Sequence, residues 1–153
     1  MKKKYLILFA LLASTVIVTL LLAFLYNKEI SGMSYSYEKL NKITSTEFEE
    51  YMLEHTDAII YISDKFDLDN NKFEKKFINK LEKLNLLENV IYIEKTDITD
   101  DVQKKLKDVY SYKYNENELP VIIVINDGEV NQISIVNDKS SVDTIINYEV
   151  FKW

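Results

Sequence analysis

Ala58-Ile59-Ile60-Tyr61-Ile62 runs into Ser63-Asp64-Lys65-Phe66-Asp67-Leu68-Asp69-Asn70-Asn71 and then into the stretch from Lys72 to Leu87. The first five residues are apolar without alternation, which suits a strand buried on both faces. From Lys72 onward, Phe73, Phe77, Leu81 and Leu84 recur at spacings of three and four, so that stretch predicts a long amphipathic helix. A strand entering a helix N-terminus through a polar loop is where α/β folds place their chemistry. Here that place holds Asp67-Leu68-Asp69-Asn70, with no cysteine, histidine or glycine-rich loop.

Working outward, Val90-Ile91-Tyr92-Ile93 predicts a second strand, so strand, crossover helix and strand form a parallel, right-handed βαβ unit. Upstream, Thr44 with Glu47, or Thr46 with Glu49, is a capping-box signature, and Phe48, Tyr51, Met52 and His55 mark one face of a helix ending near His55. Downstream, Thr99 suits an N-cap for a helix carrying Val102, Leu106, Val109 and Tyr110. The polar, tyrosine-rich stretch from Ser111 to Glu118 reads as a loop. Val121 to Ile125, Asn126-Asp127-Gly128 and Val130 to Val136 form a hairpin signal, because Asp-Gly supplies the left-handed turn conformations. Ser140 and Ser141 suit caps for a last helix with Val142, Ile145, Ile146 and Val150.

The N-terminal segment has a different character. Lys2, Lys3 and Lys4 precede an uncharged run from Tyr5 to Tyr26, interrupted only by Ser14, Thr15 and Thr19. At about 1.5 Å per residue the run reaches roughly 33 Å, enough for a hydrocarbon core of about 30 Å. A cleaved signal peptide has a shorter apolar region and a small-x-small site, which Phe24 to Glu29 does not offer. The expected organisation is therefore a cytoplasmic basic segment over 1–4, a transmembrane signal-anchor over 5–26, a juxtamembrane linker over 27–42 with a short strand around Tyr35 to Leu40, and an extracytoplasmic domain over 43–153. The lysines keep the N-terminus cytoplasmic by the positive-inside rule.

Composition removes whole classes of chemistry. The chain of 153 residues has no cysteine, so disulfides, thiolate metal sites and thiol catalysis are excluded by inventory. All 19 basic residues are lysine, and abundant Asn, Ile and Tyr fit the codon bias of an AT-rich bacterial genome. Subtracting the three N-terminal lysines leaves 16 against 25 Asp plus Glu, a net charge of −9 from Asn27 onward. Such a domain repels nucleic acid, which is bound through clustered basic residues.

Asp67-x-Asp69-x-Asn71 has the start of a calcium-loop pattern, but Lys72 stands where glycine is required and Ile78 where a bidentate glutamate belongs. Capping of the following helix by Asp69 or Asn70 explains the same residues, and no metal site is expected. An acid and base pair at Asp67 and Asp69 lacks the burial that would separate their pKa values. His55, the one histidine, reads as a partly buried packing residue, since no nucleophile pairs with it.

The predicted order of helix, strand, helix, strand, helix, strand, strand and helix is the thioredoxin-type arrangement, an α/β fold with a βαβ unit followed by a hairpin and helix. From about Asn41 to Asn147 the chain resembles the bacteriocin transport accessory proteins, membrane-associated thioredoxin-like proteins of Gram-positive bacteria. The resemblance rests on the strand from Ala58 to Ile62, on Lys72-Phe73-Glu74, on the strand from Val90 to Ile93, on Thr96-Asp97-Ile98-Thr99 and on Leu119-Pro120-Val121. In that pattern the Cys-x-x-Cys pair falls at Asp67 and Asn70, and both cysteines are absent. Without a thiolate there is no mixed disulfide and no thiol-disulfide exchange.

What the resemblance still implies is the fold, a cis peptide before Pro120 and a setting of peptide export. The expected function is a membrane-anchored, redox-inactive protein that assists bacteriocin production, export or self-protection. It has no cofactor and no catalytic residues, and a binding groove is expected between Phe66 to Asn71, taking in Asp67, Leu68, Asp69 and Asn70, and Leu119-Pro120. Its expected partners are the membrane and a cationic bacteriocin peptide or its exporter. The alternatives are a non-thiol enzyme using Asp67 or Asp69, and a structural or sensing envelope domain.

Overall fold

A computed structural model describes residues 2–30, 32–137 and 140–146, without the side chains of 2–4, 6–10 and 27–30. The chain divides into two compact units, residues 1–33 and 34–153.

The first unit contains helix α1 (Lys2–Ile30). Its hydroxyls are satisfied within the helix: Ser14 and Thr15 donate to the carbonyl of Leu11, and Thr19 donates to that of Thr15. Such back-bonding lets hydroxyl residues sit in an apolar helix. Among the described residues, no helix is long and apolar enough to cross a membrane. The described apolar stretch 11–26 covers about 24 Å, and residues 6–10 of the expected span have side chains outside the description.

The second unit is a five-stranded sheet in the order β1-β3-β2-β4-β5. Strands β1 (Asn41–Lys42), β2 (Ala58–Ser63) and β3 (Val90–Glu94) are parallel, whereas β4 (Val121–Asn126) is antiparallel to β2 and to β5 (Glu129–Ile135). All six residues of β2 and all five of β3 are buried, as their unbroken apolar character requires.

Helices α3 (Ser45–Glu54) and α5 (Asp100–Asp108) cover one face. There Phe48, Met52, Val102 and Leu106 meet Ile60, Ile62, Ile91, Ile93 and Ile123. Helices α2 (Tyr35–Lys39), α4 (Asn71–Lys83) and α6 (Val142–Ile145) lie on the other face, where Leu40, Phe77, Leu81 and Ile145 meet Ile59, Tyr61, Tyr92 and Ile122. This is the thioredoxin-type arrangement expected from the element order.

Several local expectations are met for the stated reasons. Thr44 and Glu47 form the capping box, with Glu47 Oε2 accepting from the Thr44 amide at 2.8 Å. Thr99 caps α5 through the Val102 amide at 3.5 Å. Asp127 and Gly128 form the two-residue turn of the β4–β5 hairpin, at φ 52° and 78°. The tip is fastened to the sheet by the Gly128 amide on the Thr56 carbonyl and by the Asp127 amide on Asp57 Oδ1, both 2.8 Å.

Other expectations are corrected. Where a linker with a strand over Tyr35 to Leu40 was expected, residues 35–39 form α2, followed by the two-residue strand β1. Helix α4 stops at Lys83 rather than near Leu87, because Asn85 adopts a left-handed φ of 56°. The Asn85 amide then bonds to the Glu82 carbonyl and the Leu86 amide to that of Leu81, a Schellman ending. Val109 is exposed rather than on the core face of α5. His55 is exposed at the C-cap of α3, its ring stacked on Tyr51 at 4.1 Å. The last helix ends at Ile145, and Val150 lies outside the described residues.

Candidate functional site

The loop between β2 and α4 is organised by Asp67. Its Oδ1 accepts from the Asp69 amide at 3.0 Å and its Oδ2 from Asn70 Nδ2 at 2.9 Å. Asp64 makes a similar turn one step earlier, accepting from the Phe66 amide at 2.8 Å, and it pairs with Lys95 at 2.6 Å. The hydrogen bond from Lys95 holds the Asp64 carboxyl below its ordinary pKa.

Asn70 sits at the N-cap of α4 but makes no side-chain capping bond. Its Nδ2 donates to Asp67 instead, so the expected capping role is corrected to bracing of the loop. This bracing leaves Phe66 62% and Leu68 44% exposed at the end of the sheet.

Leu119-Pro120 is a cis peptide, as the resemblance implied. Ile62 faces Val121 in the β2–β4 ladder. Leu119-Pro120 therefore enters β4 at the end of the sheet where β2 leaves it. The Pro120 carbonyl accepts from the Val136 amide at 2.8 Å. The Leu119 amide and carbonyl make no hydrogen bond among the described residues, so a peptide edge is left open there.

The expected residues thus separate into two groups. Leu119, Pro120 and the Asp64–Leu68 part of the loop share the β2–β4 end of the sheet. Asp69 and Asn70 instead line a cleft of about 430 Å³ with Lys72, Phe73, Ser141 and Asp143. No group of three or more acidic or histidine side chains suited to a metal ion occurs among the described residues.

Behind the loop lies a buried polar seam that the sequence reading did not single out. Glu74 of α4 is fully buried. Its Oε1 accepts from the Tyr61 hydroxyl and its Oε2 from the Ser36 amide, both at 2.9 Å. Glu94 is 6% exposed, and its Oε2 accepts from the Lys65 amide at 2.9 Å and the Tyr92 hydroxyl at 3.2 Å. Burial raises the pKa of both carboxyls above the ordinary range, against the hydrogen bonds that favour the charged form. The Tyr61 and Tyr92 hydroxyls are pushed well up by burial and by the neighbouring glutamates.

The seam also fastens the segment ahead of the sheet. The Ser34 amide bonds to the Lys65 carbonyl at 2.7 Å, and the Tyr35 amide to Asn71 Oδ1 at 2.9 Å. With the Ser36 amide on Glu74, three successive N–H groups at the start of α2 find acceptors on the β2–α4 region. Glu74 had a sequence signal: it shares the α4 stripe with Phe77, Ile78 and Leu81, displacing the expected Phe73, which is only half-buried.

Comparison with known proteins yields the fold. No family model and no curated protein matches the chain. A solved structure described as "a putative oxidoreductase with a thioredoxin fold" aligns with a TM-score of 0.50 at 15% identity, over 68% of this chain and 88% of that one. The sheet order, the cis peptide ahead of β4 and this likeness define a thioredoxin-like α/β protein. At Asp67 and Asn70 it carries no thiol.

Proposed function

We propose that this is a redox-inactive thioredoxin-like binding protein, anchored in the membrane through residues 5–26, that engages an extended cationic peptide in bacteriocin production, export or self-protection. The observation that carries it is the open backbone of Leu119 at the same sheet end as the exposed Phe66 and Leu68. An extended peptide adds to such an edge through its main chain, and apolar side chains beside the edge select what it carries. The acidic character of the domain, −9 from Asn27 onward, attracts a cationic partner. The anchor rests on the apolar run between the N-terminal lysines and Asn27, and the bacteriocin setting rests on the family resemblance.

The test is titration of the detergent-solubilised full chain with a cationic bacteriocin peptide, at low and high salt. Saturable binding at low salt, weakened in a Phe66→Ala/Leu68→Ala variant, is expected. Absence of binding at low salt overturns the reading.

A further inference from the structure

A second cleft, of about 300 Å³, opens at the carboxyl ends of β1 and β3, on the side of the sheet away from β4. The carboxyl end of parallel strands is the general ligand position of open α/β sheets. Its lining is graded by charge and depth. Tyr92 and Glu94 are the deepest residues, 0% and 6% exposed. Tyr37 forms an aromatic wall, and its ring meets that of Tyr92 edge-on at 5.4 Å. The more accessible residues include Lys42 and Lys65, whose ammonium groups lie 4.8 and 5.9 Å from the Tyr37 ring centre. Lys42 also donates to the Tyr37 carbonyl at 2.8 Å on the exposed side. With Asp97 the charges of the lining cancel.

We infer that this cleft binds a small zwitterion, with an ammonium group against Glu94 and an acidic group, carboxylate or phosphate, between Lys42 and Lys65. Glu94 directs only Oε2 into the protein, toward the Lys65 amide and the Tyr92 hydroxyl, and Oε1 makes no hydrogen bond among the described residues. A carboxylate oxygen left without a protein donor suits the N–H groups of an ammonium ligand. Lys42 and Lys65 both hold their ammonium groups over the Tyr37 ring and suit a charge of opposite sign between them. The site is independent of the Leu119 edge and needs no anchor, so it stands whether or not the peptide reading holds.

The two chemical sources of such a group are a free amino acid and a phosphoethanolamine headgroup. Saturation-transfer NMR on the full chain, with β-alanine and O-phosphoethanolamine as probes, separates them. Acetate and methylammonium serve as half-ligand controls. One or both zwitterions should saturate below ~10 mM, and each half-ligand should bind about tenfold more weakly, the loss expected for one charge-assisted contact. Lys42→Ala, at an exposed position, and Glu94→Gln should each weaken binding by a similar factor, with far-UV circular dichroism unchanged for Lys42→Ala. Failure of both zwitterions to saturate, equal binding of a half-ligand, or undiminished binding by Lys42→Ala overturns the assignment.

Discussion

Glu74 joins three elements through one carboxylate, taking Tyr61 from β2 and Ser36 from α2 while standing on α4. Glu74→Ala leaves a buried amide and a buried phenol without acceptors, an expected loss of about 2–4 kcal/mol in urea unfolding. The pH dependence has a definite sign. Because the folded-state pKa values of Glu74 and Glu94 are raised, the folded protein binds more protons than the unfolded chain. Stability therefore increases as pH falls from neutrality toward the ordinary carboxylate range, and is lost as pH rises through the raised values. Asp64, held below its ordinary pKa by Lys95, acts in the opposite sense at lower pH, where its protonation removes stability. Urea midpoints measured across pH should thus rise and then fall on acidification, and Glu74→Gln should flatten the upper slope.

At the scale of elements, two left-handed positions decide where structures end. Gly128 in the hairpin turn has φ 78° and open space where a Cβ would stand, so Gly128→Ala costs only its backbone conformation, about 1 kcal/mol in a thermal melt. Asn85→Val is expected to cost about 1–2 kcal/mol, since a β-branched residue disfavours the φ of 56° that closes α4. The hairpin was legible because Asp127-Gly128 states its turn type in two adjacent residues. The end of α4 was not, because Asn85 does the work glycine usually signals. Helix α2 was illegible for a different reason: the acceptors for its first amides, Asn71 and Glu74, lie more than thirty residues away, and no local pattern in Tyr35–Lys39 announces them. The loop at Asp67 was located correctly while its bonding was not. Residue type told that Asn70 precedes a helix, but only geometry shows its amide spent on Asp67.

For the whole molecule, the thioredoxin-like frame without cysteine separates fold from chemistry. A thiol-reductase assay on this protein should read at background, and measurable turnover would refute the proposed redox inactivity. Binding of a cationic peptide should weaken between low and physiological salt, because attraction to a dispersed negative surface is screened over a Debye length of about 8 Å. The three successive bonds at Ser34, Tyr35 and Ser36 also define a load path. Tension entering the second unit from residue 33 meets Lys65, Asn71 and Glu74 before it reaches any strand of the sheet. The first part of the molecule to feel such a pull is the β2–α4 loop, with Phe66 and Leu68 on it. A tug on the chain ahead of Ser34 is thereby delivered to the β2–α4 loop and, through Tyr61 on Glu74 and Lys65 on Glu94, to the two central parallel strands.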